Sequence, residues 1–380
     1  MKIACISPSQ VPSITANSIQ AMKACSAVAG LGHDVRLWVP GRWLPEWSQL
    51  ALAYGVRHPF QLQGMPSLRL FRRYDFSLMA VHQAHLWQAD LIYTWLPQAA
   101  TLALARKTPV ILEMHDRPSG RFGPGLFRRF HSNPGLKRLL VITQALKAVL
   151  EREFQLNFQE GEVVIAPNGI ELEQFARLPS AGEARKMAGL QENFTVMFSG
   201  HLYAGRGADL MAELAVRFPK VQFVWVGGRP SDVALWQSQL CERGIRNVTL
   251  TGFIPNQDVP ALLAAGDVFL MPYGKEIAGS SGGNSAEICS PMKMFDYMAV
   301  GRAIISSDLP VIHEVLNERN ACFCTAEDVK AWQACLQKLI DSPDLRMKLG
   351  EQARRDARQY SWSEREKRAL QGFPNKKAGI

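Results

Sequence analysis

The feature that most restricts the possible folds is a regular alternation of short apolar runs with helical stretches, which passes through the chain twice. KIACIS opens it, the loop PSQVPSITANS follows, and IQAMKACSAVAGLG then places Ile19, Met22, Cys25 and Ala29 on one helical face. Asn17 or Ser18 is suited to cap this helix and Gly32 to end it. HDVRLWVP, DLIYTWL, PVILEMHD, RLLVITQ and EVVIAPNG read as further strands. The rhythm restarts at TVMFSGHLYAGRGADLMAELAVRF and continues through VQFVWVGG, NVTLTGF, DVFLMPY, RAIISSD and ACFCTA. Strands separated by helices in this way predict an α/β chain with parallel, doubly wound sheets. The expected organisation is a Rossmann-like domain over residues 1–175, a second over 176–360, and a last helix (WSEREKRALQGF) with a frayed tail (PNKKAGI) over 361–380. Such sheets bind ligands beyond the carboxyl ends of their strands, so two of them facing a cleft can divide a nucleotide from an acceptor.

With 380 residues, 47% of them hydrophobic, the chain can build two cores of ordinary size. No apolar run reaches the roughly 18–20 residues of a membrane-spanning helix. MKIACISPSQ lacks a signal-peptide core, so a cytoplasmic protein is expected. The seven cysteines include no CxxC pair and read as reduced thiols, not as a zinc site. The net charge of +9 is unevenly placed: residues 1–150 carry 17 Lys/Arg against 6 Asp/Glu, and the remainder 26 against 28. A basic first half suggests an anionic membrane, nucleic acid or an acidic substrate as partner. No nucleic-acid-binding module is recognisable, so nucleic acid is not expected.

Three segments carry chemistry. In SPMKMFDYMAVGRAIISSD (290–308) a Ser-Pro turn opens a helix, whose free N–H groups from about Met292 onward form an anion site with Lys293 beside it. Asp296, one turn on, is placed to accept from ribose hydroxyls; by spacing alone, a solvated Lys/Asp face is the favoured reading. In SGHLYAGRGADL (199–210) a strand ends at Gly200, and a loop with His201 and Arg206 enters a helix without matching a full dinucleotide or P-loop pattern. Arg206 suits bidentate phosphate binding. In ILEMHDRPSG (111–120) a buried strand delivers Glu113, His115 and Asp116 at its carboxyl end.

The first of these segments resembles the signature helix of glycosyltransferase family 4, a retaining family of the GT-B class, in its Ser-Pro-Leu-Lys-x-Phe-Glu-Tyr-Met-Ala-x-Gly form. The resemblance implies two Rossmann-like domains facing a cleft, with a terminal helix crossing back to the first. Asp296 takes the place of the family's second glutamate, which holds the ribose. The first glutamate's place falls on Ile288, with Glu287 adjacent. The 199–210 loop resembles the family's Gly-Arg-Leu…Lys-Gly loop, with His201 for its arginine and Arg206 for its lysine. His115 stands where the family has a histidine facing the transferred sugar. VVIAPNGIELEQF resembles the hinge, and LTGFIPNQDVPALLAAGDVFLMPY the stretch whose backbone, near Phe253 and Ile254, meets the base. The first loop holds Thr15 and Ala16 at the family's two glycine places, followed by Asn17 and Ser18. Together these matches cover roughly residues 1–370.

The resemblance implies a nucleotide-sugar donor, UDP-sugar favoured, bound by Ala16, Gly200, His201, Arg206, Phe253, Ile254, Glu287, Ser290, Met292, Lys293 and Asp296. His115, Arg206 and Lys293 are the expected catalytic residues, and Asn17, Ser18 and Asp116 the expected acceptor contacts. No DxD sequence occurs, so neither a metal nor another cofactor is expected, and basic groups neutralise the leaving diphosphate. LRLFRRYDF, RPSGRFGPGLFRRF and Trp38, Trp43 and Trp47 give the first half basic and aromatic character suited to an anionic bilayer. The expected enzyme is thus a peripheral hexosyltransferase that modifies a membrane lipid or lipid-linked glycan. A soluble glycan or small-molecule acceptor, a GT-B sugar-nucleotide epimerase and a non-catalytic nucleotide-sugar binder remain open.

Overall fold

The computed structural model describes residues 1–202, 205–276 and 285–373. The sequence-predicted tail PNKKAGI lies outside them, as do Tyr203 and Ala204 of the 199–210 loop.

The chain forms two compact units, Met1–Asn168 with Trp362–Ile380, and Gly169–Ser361. The first is built on seven strands: β1 (Lys2–Ile6), β2 (Asp34–Pro40), β3 (Gln61–Met65), β4 (Leu91–Thr94), β5 (Val110–Met114), β6 (Lys137–Val141) and β7 (Val163–Ile165). Their order is β3-β2-β1-β4-β5-β6-β7, and every neighbouring pair is parallel. β1, β4 and β5 are almost wholly buried, as strands covered on both faces must be. The second unit is built on six: β8 (Thr195–Ser199), β9 (Gln222–Val226), β10 (Val248–Leu250), β11 (Val268–Met271), β12 (Ala303–Ser307) and β13 (Cys322–Cys324). They run β10-β9-β8-β11-β12-β13, again all parallel. In each sheet the winding reverses beside its first strand, between β1 and β4 and between β8 and β11. The crevice beyond the strand ends at such a reversal is the default ligand site.

The predicted strands are all present, and β3 is an addition. QLQGM has no apolar alternation because it is a half-exposed edge strand, with Gln61 accepting from Arg36 Nε at 2.7 Å. The first helix spans Ala16–Gly30 and its N-cap is Thr15, without a side-chain cap bond. Neither Asn17 nor Ser18 caps it; both lie in its first turn. The Ser18 hydroxyl is instead committed to Gln10 O at 3.2 Å and Tyr54 Oη at 2.7 Å.

The change of unit falls within the PNGI segment. Ile170 N donates to Tyr360 O at 2.9 Å, which ties the chain beyond Asn168 to the end of the second unit. The last helix, Trp362–Leu370, returns to the first unit, where Ala369, Leu370 and Phe373 join the core of Ile3, Met22, Leu37 and Ile111. Arg138 holds it in place, donating to the carbonyls of Ala369 at 2.7 Å and Gln371 at 2.6 Å.

Candidate functional site

In the second unit, the end of β8 and the start of the helix Met292–Val300 meet at the sheet's reversal point. Gly200 has φ 131°. A Cβ there would lie 2.9 Å from Lys293 Nζ, so the absent side chain makes room for the lysine. Trp225 Nε1 donates to Gly200 O at 3.0 Å and fixes the turn. Lys293 is buried, its Nζ 3.4 Å from the Phe198 ring centroid and 5.3 Å from that of Tyr273. That Nζ has no hydrogen-bond partner among the described residues. Burial holds its pKa well below the usual lysine value, and neighbouring Arg206 pushes the same way, with Asp296 opposing. The Arg206 guanidinium lies 6.0 Å from the Tyr273 ring centroid.

Two further groups complete a basic cluster. The His201 pKa is lowered from 6.5, first by burial and then by the charges of Arg206, Arg229 and Lys293. His201 is therefore a neutral imidazole at pH 7 and adds a hydrogen-bonding group, not a cation. Arg229 was not anticipated from the sequence; its signal is the Gly-Gly-Arg-Pro that follows β9 and opens the helix Pro230–Glu242.

Several predicted donor residues join this locus. Gly207, at φ 83°, enters the following helix so close to Pro272 that a Cβ would lie 2.2 Å from its Cγ. Gly227 abuts Gly200 and bridges to Gly252, which brings the Phe253–Ile254 loop to the same end of the sheet. Phe253 is exposed and Ile254 half-buried. Ser290 is buried at the helix start, Met292 opens the first turn, and Asp296 is half-buried one turn on. Ile288 is fully buried in the core, whereas Glu287 is exposed.

In the first unit, a cavity of about 370 Å³ occupies the corresponding reversal point, beyond the ends of β1, β4 and β5. Asn17, His115 and Asp116 line it, with Ser7, Trp95 and Arg121. Ala16 is exposed at the start of its helix. Ser18, expected beside Asn17 as an acceptor contact, is fully buried and spends its hydroxyl on Gln10 and Tyr54, so its side chain does not reach the cavity. Asp116 Oδ1 accepts from Arg117 N at 2.7 Å.

Beneath His115 lies a charged cluster that the sequence did not disclose. His115 Nε2 is 2.7 Å from Glu113 Oε1. Glu113 also accepts from Gln20 Nε2 at 2.6 Å, from the Tyr93 hydroxyl and from Arg365 Nη2 of the last helix. Burial alone would raise the Glu113 pKa, but Arg365, His115 and Tyr93 outweigh it and hold the carboxyl at about 2. Glu366 is pushed up to about 7 by burial, with Arg365 opposing. A sequence signal did exist. Trp362, Arg365, Glu366, Ala369 and Leu370 form the buried stripe of the last helix, so two charges occupy core positions.

Among the described residues, no group of three or more His, Cys, Asp or Glu is placed to hold a metal ion. No described helix is long and apolar enough to cross a membrane.

Two doubly wound units with a returning terminal helix define a GT-B class protein, and comparison with known proteins agrees. The family description "Glycosyltransferase Family 4" matches residues 19–174, and "Glycosyl transferases group 1" matches residues 193–342. The chain belongs to the group 1/family 4 glycosyltransferases of GT-B fold, and is an enzyme of that family. It is 22% identical over 350 residues to a phosphatidyl-myo-inositol mannosyltransferase of Mycolicibacterium smegmatis, covering 87% of this chain and 83% of that protein. It is 24% identical over 207 residues to an alpha-galactosylglucosyldiacylglycerol synthase of Streptococcus pneumoniae, covering 53% and 51%. Anabaena HepE, solved in complex with UDP, superposes with a TM-score of 0.72 at 16% identity, covering 97% of this chain and 98% of that one. WaaG, a glycosyltransferase involved in lipopolysaccharide biosynthesis, superposes with a TM-score of 0.65 at 17% identity, covering 97% and 99%.

Proposed function

We propose that this glycosyltransferase moves a hexose from a UDP-sugar, with retention of configuration, to a membrane lipid or lipid-linked glycan. The observation that carries the donor half is Lys293: a buried amine without a hydrogen-bond partner among the described residues, beside Arg206 at a helix start, is a site prepared for an anion. The β-phosphate of a departing nucleoside diphosphate is that anion. Arg206 and Lys293 neutralise the charge that develops on it, and the N–H groups of the turn at Ser290–Met292 add their dipoles. Asp296 takes the ribose, and the backbone near Phe253 and Ile254 meets the base. Gly200 and His201 line the diphosphate, and Ala16 is a further donor contact. Glu287 stands nearest to the position where the family has its first carboxylate.

His115 holds the transferred sugar, and Asn17 and Asp116 meet the acceptor. No residue is needed as a covalent nucleophile, because the acceptor attacks from the face that the diphosphate leaves. UDP and UDP-glucose in the HepE complexes support the choice of nucleotide. The lipid acceptor is supported by the names of the mannosyltransferase and the diacylglycerol glycolipid synthase. The basic first half and the exposed Leu68, Leu70, Phe71 and Phe122 support a peripheral position on an anionic membrane.

The test is a screen of UDP-, GDP- and ADP-sugars for nucleoside diphosphate release, with and without a membrane lipid extract. Release from a UDP-sugar that rises with the extract is expected. Arg206→Ala should lower it by about 100-fold or more; undiminished turnover by that variant would sink the phosphate assignment.

A further inference from the structure

Glu113 and Arg365 are both buried to within 1% of their surface. Burying such a pair is ordinarily no better for stability than a matched apolar pair. Here the surroundings are built around it. Arg365 donates to Pro167 O at 2.9 Å, Ala166 O at 3.2 Å, Tyr93 Oη at 3.1 Å and Glu366 Oε1 at 2.5 Å, as well as to Glu113. Of the side chains hydrogen-bonded to Glu113 in this network, His115 is the one that reaches the cavity, with 22% of its side chain exposed there.

The chemical consequence concerns the imidazole. A carboxylate 2.7 Å from Nε2 favours a proton on that nitrogen, so Nδ1 is left as the acceptor of the neutral ring. The carboxylate is itself oriented by donors from three elements: Tyr93 on β4, Gln20 on the first helix and Arg365 on the last. We propose that Glu113 and Arg365 are positioning residues, which hold His115 in its Nε2–H tautomer with Nδ1 presented to the substrate and so make the last helix part of the catalytic apparatus. The proposal rests on the reading of His115 as the residue that faces the sugar.

The experiment compares wild type, His115→Ala, the double variant Glu113→Leu/Arg365→Met, and Arg365→Lys. The double replacement removes both charges together, which avoids stranding either one in the core, and Glu366, already raised to about 7, takes up a proton once Arg365 is gone. Nitrogen-15 labelled histidine reports the tautomer of His115, whose signal is the one missing in His115→Ala. UDP-glucose consumption in the presence of the lipid extract gives kcat and KM. In the double variant the ring is expected to lose its preference for Nε2–H. Its kcat should fall on the order of 10- to 100-fold, while donor KM changes by less than about threefold. Arg365→Lys keeps the charge without the planar fork and should fall between the two.

A folded double variant with wild-type kcat or an unchanged tautomer overturns the proposal. Should the double variant not fold, Arg365→Lys decides by the same two readouts. If His115→Ala itself turns over like wild type, the reading of His115 has failed; if His115→Ala is impaired and the double variant is not, only the positioning role has failed.

Discussion

A lysine buried against an aromatic ring, with no hydrogen-bond partner for its amine, is less favourable in the folded state than a methionine of similar length in the same place. Lys293, whose amine has no such partner among the described residues, is such a residue, and its lowered pKa expresses the same cost of burial. Lys293→Met should therefore stabilise the chain by about 1 kcal/mol or more in urea unfolding, while nucleoside diphosphate release falls about 100-fold. Loss of stability together with full turnover would show that the amine serves the fold. Lys293 was legible from the sequence because its position follows from a motif and a helix start. The environment of its neighbours was not. The His201 pKa is lowered by burial first and then by Arg206, Arg229 and Lys293, and Arg229 arrives from a different strand–helix junction. Ser18 reads as a polar loop residue, yet Tyr54 and Gln10 consume its hydroxyl.

At the scale of elements, the last helix joins its unit by charge as well as by apolar packing, and this makes the first unit sensitive to pH. The Glu366 pKa is raised from 4.5 to about 7, so between these values the folded state keeps a proton that the unfolded state has lost. The stabilisation that results is complete below about pH 4.5 and disappears as the pH rises through 7. Glu113, lowered to about 2, acts in the opposite sense: its contribution is present above about pH 4.5 and is lost as the pH falls toward 2. Glu366→Gln removes the first dependence and leaves the second. Between about pH 5 and pH 8 its melting temperature should vary less than that of wild type; an equally steep decline would show that Glu366 is not the titrating group. The helix itself is legible in WSEREKRAL as an amphipathic period. Its partner is not, because Arg365 and Glu113 are 252 positions apart. Edge strand β3 escapes for a simpler reason, since an exposed edge needs no apolar alternation.

For the molecule as a whole, the charge imbalance is the property most open to measurement. With 17 basic against 6 acidic residues in the first 150, and Leu70 and Trp43 more than four-fifths exposed, the first unit has both the charge and the apolar side chains to enter an anionic interface. Vesicles containing phosphatidylglycerol should retain the protein at low ionic strength and release it near 0.5 M salt, where the Debye length is only about 4 Å, and neutral phosphatidylcholine vesicles should not retain it. Indifference to anionic vesicles at low salt would end the membrane reading and favour a soluble acceptor.

By itself the sequence determined the two-unit doubly wound plan, the helix start at Ser290–Lys293, the glycine turn at Gly200 and the strand end that bears His115. Each of these is a local pattern in which neighbouring residues must agree on a period, a turn or a cap. The tertiary structure alone decided which atoms of those segments meet. It placed Lys293 Nζ against Gly200 and Phe198, sank Ile288 into the core while leaving Glu287 outside, and set the Arg365–Glu113 pair beneath His115. The physical reason is that burial and electrostatic coupling act through space at a few ångströms, between residues that no local period connects.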